Sequence, residues 1–260
     1  MKKLYLVDIE GTIVKDKSFV PIEGAIDWIN SFDSSLHQFV LLSNNTTHKP
    51  EDLLEVLKNV GFDIKPENLI TCMSAALKWL QKKDINSCFV IGSSQLKAYL
   101  NENKIKTPSD NMVEAVLVGL DSSLDYQKLK VAVNALVKNN ATFLALHANR
   151  LYKDEIGELS PSVGAVVKAL EYSSQKRAKI FGKPKPAIFR EALRRFEVKP
   201  KDCIMISDDP LSDLRGAKKL GMKTVFVTSG KYKDKNILKS LNKRFQPDWI
   251  HRSVKEIRIL

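Results

Sequence analysis

The sequence is poor in cysteine: Cys72, Cys88 and Cys203 are odd in number, far apart and without CxxC spacing. That argues against a disulfide framework or a zinc site and leaves reduced, buried small hydrophobes. Long apolar runs are missing as well. The run Leu4 to Val7 follows two lysines and is stopped by Asp8, too short for a signal-peptide core. No later stretch approaches the ~18 apolar residues that span a bilayer. The expectation is a cytoplasmic protein with no membrane partner. Low-complexity segments and strict repeats are also absent, and no aromatic residues interleave the basic ones in a stacking pattern. The last absence argues against nucleic acid as a partner.

What is present is an ordinary globular composition, 43% hydrophobic and 28% charged over 260 residues, with an unusual net charge of +12. That length holds one large α/β domain, or a core and a smaller unit. The charge favours anionic partners, small phosphates above all. Ten Lys or Arg fall between Lys176 and Lys201 against Glu191 and Glu197. Many flank apolar residues at helical spacing, as in Ala192-Leu193-Arg194-Arg195-Phe196, so solvated helix faces account for them equally well.

Along the chain, short β-rich apolar runs alternate with helical periodicity. Leu4 to Asp8 reads as a strand, residues 21–32 as a helix opened by Pro21, and Phe39 to Leu42 as a second strand. A helix follows from Pro50 to Val60, stopped by Gly61. The middle repeats this on a smaller scale: strands Cys88 to Ile91, Ala115 to Gly119 and Thr142 to Leu146, helices Gln95 to Leu100, Tyr126 to Val137 and Ser162 to Tyr172, the last capped by Ser160 or Ser162. The final part resumes with strand Ile180-Phe181, helix Ala187 to Phe196, strand Cys203 to Ile206, helix Asp213 to Leu220 and strand Thr224 to Val227, then a closing helix and a short strand near Trp249. The rhythm predicts an α/β fold, a doubly wound parallel sheet of Rossmann type with an inserted α/β cap. The expected core is 1–75 with 178–260, and the cap is 76–177.

Ligands of a parallel sheet bind beyond the carboxyl ends of its strands. Four such ends are polar: Asp8-Ile9-Glu10-Gly11-Thr12, Ser43-Asn44-Asn45, Gly182-Lys183-Pro184, and Ser207-Asp208-Asp209 with Asp213 four residues on. Together they form a phosphoryl-transfer set. A carboxylate attacks an anionic phosphate poorly unless a cation screens the repulsion, and Asp8 beside Asp208 with Mg2+ between them meets that need. Lys183 adds a fixed positive charge, and Ser43 with nearby N–H groups binds phosphoryl oxygens. Glu10, two residues after Asp8, shares its face and can act as acid and then base. Taken singly, Asn45 and Asp209 read equally well as turn residues, and a helix N-cap is the lesser alternative for Asp213.

These motifs, in this order, resemble those of the haloacid dehalogenase-like superfamily over essentially the whole chain. The likeness is to its NagD-like branch, with a large α/β cap between the second and third motifs. Ser207-Asp208-Asp209-x-x-x-Asp213, Gly216-Ala217 and Thr228-Ser229-Gly230-Lys231-Tyr232 look most like the phospholysine/phosphohistidine inorganic pyrophosphate phosphatase type. The resemblance implies a phosphatase in which Asp8 forms an aspartyl-phosphate. It implies Mg2+ held by Asp8, the backbone carbonyl of Glu10 and Asp208, phosphoryl contacts from Ser43, Asn44 and Lys183, and support from Asp209 or Asp213. It also implies that a cap loop reaches the site, with His147, Asn149 and Arg150 the candidates for contacting a small phosphorylated substrate, and it allows a homodimer through the cap. Two residues depart from the pattern. Glu10 stands where such phosphatases have Asp, and an added methylene moves a carboxylate by about 1.5 Å. Misplacement of that order costs roughly a hundredfold in rate. Ser207 stands where Gly is usual. Two other readings therefore stay open: a silent metal- and phosphate-binding regulatory protein, and a phosphotransferase or phosphomutase.

Overall fold

In β1 (Leu4–Asp8) neighbouring side chains leave for opposite sides. Leu4 and Leu6 enter one apolar cluster, Tyr5 and Val7 another. A strand buried on both faces belongs inside a parallel sheet with helices on either side. The computed structural model describes residues 3–153 and 158–259 and builds that arrangement. After β1 come α1 (Ala25–Asn30), β2 (Gln38–Ser43), α2 (Pro50–Asn59), β3 (Leu69–Thr71), α3 (Cys72–Lys82), β4 (Cys88–Ile91), α4 (Ser94–Glu102) and β5 (Ala115–Val118). Then follow α5 (Tyr126–Val137), β6 (Thr142–Ala145), β7 (Leu151–Lys153), β8 (Leu159–Pro161), α6 (Val163–Ser174) and β9 (Lys179–Ile180). The chain closes with α7 (Pro186–Arg195), β10 (Cys203–Ser207), α8 (Arg215–Lys219), β11 (Lys223–Val227) and β12 (Trp249–His251).

Two compact units result. The larger contains Met1–Ser43, Pro50–Thr71 and Lys183–Leu260, and the smaller contains Asn44–Lys49 and Cys72–Gly182. In the larger, six parallel strands run in the order β12-β11-β10-β1-β2-β3. One face packs on Trp28 and Ile29 of α1, Leu53 and Leu57 of α2, and Val254 and Ile257 of the C-terminal segment. The other packs on Ile188, Phe189 and Ala192 of α7, Ala217 of α8 and Leu238. The Trp28 indole donates to the Ile257 carbonyl at 2.8 Å and ties the chain's two ends together. In the smaller unit, β4-β5-β6-β9 form a second parallel sheet, covered on one face by α5 and α6 through Ala132, Leu136, Val163 and Val167. β7 and β8 form a separate antiparallel pair. The three cysteines are buried free thiols, and no helix among the described residues is long and apolar enough to cross a membrane.

Some expected elements differ. The first helix starts at Ala25 rather than Pro21, because Pro21 bridges Val14, the Ile22 N–H donates to the Ile13 carbonyl, and Gly24 is left-handed (φ 76°). The strand expected at Ile180-Phe181 is Lys179–Ile180 and pairs with β6 in the smaller sheet. Ser162 occupies the N-cap of α6 without a side-chain bond to it. The C-terminal helix is a pair of 3-10 turns, Lys235–Ser240 and Lys243–Phe245.

Phe226, wholly buried on β11 in the cluster that packs against α7 and α8, tests this packing. Phe226→Ala should lower unfolding free energy by about 3–5 kcal/mol, seen as an earlier urea transition in tryptophan fluorescence.

Candidate active site

The strand order brings three of the site's segments together. β10, β1 and β2 are consecutive neighbours, with Val7 level with Ile206 and Asp8 level with Leu42. Asp8 therefore ends its strand beside Ser207-Asp208 on one side and Ser43 on the other. Beyond Asp8 the burial alternates: Ile9 enters the core, whereas Glu10 is partly exposed like Asp8. The loop then tightens, Gly11 at φ 78° and the Thr12, Ile13 and Val14 N–H groups all turned onto the Ile9 carbonyl.

Lys183, only 3% exposed, is clamped between two carboxylates. Its ammonium contacts Asp8 Oδ1 directly and Asp213 Oδ2 at 2.7 Å. Asp213 lies on a π-helical turn, Pro210–Leu214, that runs into α8. There is no room for a side chain at Gly216, where a Cβ would stand 2.6 Å from the Pro184 carbonyl oxygen. This close approach brings the start of α8 against the loop that carries Lys183. Asp213, expected to support the site with a helix N-cap as the lesser alternative, is an ion-pair partner of Lys183. The cap is Asp209, whose Oδ1 accepts from the Leu211 and Ser212 N–H groups at 3.1 and 3.0 Å while its Oδ2 pairs with Lys231 at 2.8 Å.

Asp208 is held from a direction the four motifs do not reveal. Its Oδ2 accepts the Lys231 N–H at 2.5 Å, in a cradle where a Cβ on Gly11 or Gly230 would come within 2.1 or 1.9 Å of it. Ser229 Oγ donates to the Gly11 carbonyl at 2.7 Å and fastens the two loops. The signal was available: residues 228–231 follow β11, another strand end of the same sheet. Ser207, at the usual glycine position, is fully buried. Its hydroxyl donates towards Asp213 Oδ2 (3.2 Å), lies 3.5 Å from Asp8 Oδ2, and accepts the Asp209 N–H at 3.1 Å.

Three carboxylates, Asp208 and Asp213 buried and Asp8 nearly so, thus lie about one buried ammonium. Burial pushes Asp8 up to about 6; Lys183 opposes this and the charge of Asp208 adds to it. Burial likewise lifts Asp208 to about 6 against the Lys231 N–H, with Asp213 and Asp209 adding to the rise. Asp213 also rises to about 6, from burial opposed by Lys183. For Lys183 burial acts to lower the pKa, but Asp213 and Asp8 outweigh it and the ammonium stays charged. The pocket is short of positive charge. Among the described residues no three or more His, Cys, Asp or Glu side chains converge as a metal cage, so the side-chain donors on offer are Asp8 and Asp208. Hard carboxylate oxygens with unbalanced charge fit Mg2+. Thr12 Oγ1, in the loop after Asp8, is the one buried side-chain polar atom without a hydrogen-bond partner among the described residues, which leaves it for a group the chain does not supply.

The remaining expected site residues lie in the smaller unit. Asn45 Oδ1 accepts the Thr47 and His48 N–H groups at 3.0 and 2.8 Å, and Asn44 packs on Gly182, where a Cβ would stand 2.3 Å from its Oδ1. His147 is buried, and that burial lowers its pKa to about 4, leaving a neutral ring whose Nδ1 accepts the Asn149 N–H at 3.3 Å. Asn149 and Arg150 are exposed, and their carbonyls take the Gly164 and Ser162 N–H groups at 2.9 Å, which pins this loop to the start of α6.

Known proteins resemble this chain in sequence and in fold. A family model described as "Haloacid dehalogenase-like hydrolase" matches residues 5–106, and another, described as "HAD-hyrolase-like", matches residues 180–257. The chain is similar to haloacid dehalogenase-like hydrolase domain-containing protein 2 of Mus musculus, 32% identical over 89% of this chain and 86% of that protein. It is 29% identical to the acid sugar phosphatase of Staphylococcus aureus strain USA300, over 88% of this chain and 87% of the relative. Among solved structures, NagD from E. coli K-12 superposes with a TM-score of 0.86 at 24% identity, covering 99% of both chains.

Two outcomes follow. Mg2+ should raise the Tm of the wild type in calorimetry, and Gly230→Ala, which should displace the Asp208 carboxylate, should abolish that rise. For pH, Asp8, Asp208 and Asp213 hold their protons more tightly folded than unfolded, so their protonation stabilises the metal-free fold fully below an ordinary aspartate pKa of 3.8, and that contribution is lost as pH rises through about 6. The Mg2+-induced rise in Tm should accordingly grow between about pH 5 and about pH 7 as the ion displaces those protons.

Proposed function

Because this chain belongs to the haloacid dehalogenase-like hydrolases and has a NagD-like fold, we propose that it is a Mg2+-dependent phosphatase acting on a small phosphorylated metabolite. The observation that carries this reading is Lys183 clamped between Asp8 and Asp213 beside Asp208, a buried site with too little positive charge of its own. Mg2+ held by Asp8, Asp208 and the Glu10 carbonyl would supply the charge that lets an anionic phosphate approach a carboxylate. Asp8 then attacks phosphorus, the bond to the leaving oxygen breaks, and Asp8 becomes an aspartyl-phosphate. Glu10, as the neutral acid, gives its proton to the departing oxygen. As the carboxylate it then takes a proton from the water that hydrolyses the acyl phosphate, which releases phosphate and restores Asp8. Lys183 keeps Asp8 oriented and offsets the charge of the non-bridging oxygens, while Ser43, at the neighbouring strand end, donates to one of them.

The substrate class is read from the smaller unit and from relatives. Asn44, Asn45 and the 147–150 loop are the proposed selecting groups, with Arg150 suited to a carboxylate or a second phosphate. Sugar phosphates are the first class to try, in keeping with the name of the acid sugar phosphatase relative. The likeness to the phospholysine/phosphohistidine type adds P–N and P–O–P linkages. One observation favours a second reading, that of a slow or silent binder: the acid–base position holds Glu10, a methylene longer than the Asp of comparable phosphatases.

A panel of phosphomonoesters, phosphoramides and pyrophosphate, assayed with Mg2+, decides between them. Wild type should release phosphate to water, and Asp8→Asn should lose at least a thousandfold, on the order reported for removed nucleophiles. Glu10→Asp should be similar or faster. No turnover by wild type with activity appearing in Glu10→Asp establishes the silent binder instead.

A further inference from the structure

The positive charge of this chain is distributed unevenly. Residues 1–175 have 19 Lys and Arg against 21 Asp and Glu, whereas residues 176–260 have 23 against nine. The excess belongs almost wholly to the last third, most of which lies in the larger unit. There the fold gathers much of it. α7 and α8 pack on the same face of the six-stranded sheet, through Ile188, Phe189 and Ala192 in one and Ala217 in the other. Arg190 and Arg194, one helical turn apart on α7, are exposed, as are Arg215 and Lys219, one turn apart on α8. The 3-10 turn Lys243–Phe245 borders α8. Its Phe245 ring is flanked by the guanidinium groups of Arg244, 4.5 Å from the ring centroid, and Arg215, 5.0 Å from it. Compensation is thin: Arg194 shares its charge with Glu191 at 3.0 Å, and of the acids between 183 and 259 only Glu197, Asp234 and Glu256 are exposed among the described residues.

We infer that this face, formed by α7, α8 and the 243–245 turn, binds the phosphate backbone of a nucleic acid duplex. The charge sign selects a polyanion, and the guanidinium groups suit phosphodiester oxygens. Apolar insertion into a membrane has no anchor here, since the exposed large hydrophobics of this unit, Val20, Leu36 and Trp249, lie outside α7, α8 and the turn. Missing aromatic interleaving excludes stacking of unpaired bases, but a duplex held by its backbone needs none. Binding is sequence-independent and strongly salt-dependent.

The test uses the full-length Asp8→Asn protein, so that no turnover intervenes, with a fluorescent duplex of about 30 base pairs followed by anisotropy. Binding at micromolar protein in about 50 mM KCl should weaken several hundredfold by about 200 mM, as for roughly five neutralised phosphates. Arg190→Glu/Lys219→Glu/Lys243→Glu, which changes only exposed side chains of this face, should lose at least thirtyfold at the lower salt while keeping the wild-type Tm. Absent binding, equal affinity of the triple variant, or tighter binding to phosphatidylserine vesicles than to duplex at matched anionic charge each overturns the inference. None of these outcomes depends on whether the enzyme hydrolyses phosphate esters.

Discussion

Everything in the larger unit's pocket answers to one electrostatic fact: a single buried ammonium faces three carboxylates that are buried or nearly so. Taking charges out of water is costly, and such a cluster persists only when partners and hydrogen bonds compensate it. Lys183 compensates Asp8 and Asp213. Asp208 has a backbone N–H from Lys231 and a space kept clear by two glycines. The arrangement is tense in its charge and exact in its placement. That combination suits a site meant to receive a cation and an anion together, where each ligand relieves the repulsion that the other meets.

How much of this could be read from the chain depends on the distance over which each signal acts. The fold class was legible because β1, β2, β10 and β11 are apolar runs whose alternate residues serve opposite faces, and local periodicity reports that directly. Asp8, Asp208 and Ser43 were legible because strand ends in a parallel sheet converge. Less legible were the features set by tertiary contact, among them the placing of Lys183, whose preceding strand β9 belongs to the smaller sheet. Pro21 and Ile22 read as helical until their pairing with Val14 and Ile13 is known. Lys179–Ile180 is too short to declare which sheet it joins. Asp209 and Asp213, four residues apart and identical in chemistry, both support the site, and only the fold shows that Asp209 caps the π-helical turn while Asp213 pairs with Lys183.

The residues following β11 illustrate a different limit. Thr228 to Tyr232 stood out in the sequence as a mark of likeness, without a physical task. In the fold Ser229, Gly230 and Lys231 act mainly through backbone and through absent side-chain volume. Backbone donors leave no trace in residue type, and a glycine needed for clearance looks like any turn glycine. Ser207 shows the converse. A side chain at a position usually kept bare finds two acceptors and a donor within reach, so the extra atoms are absorbed into the hydrogen-bond network and do not crowd it.

The parallel sheet also has a temporal side. β1 is flanked by β2, made soon afterwards, and by β10, which begins nearly two hundred residues later. While a ribosome is still extending the intervening segment, one flank of β1 has no strand beside it, and Asp8 has neither Lys183 nor Asp213 to answer its charge. An unpaired apolar edge is a template for wrong pairing. An acidic residue at its tip would meet its own like charge in a second copy docking there parallel and in register.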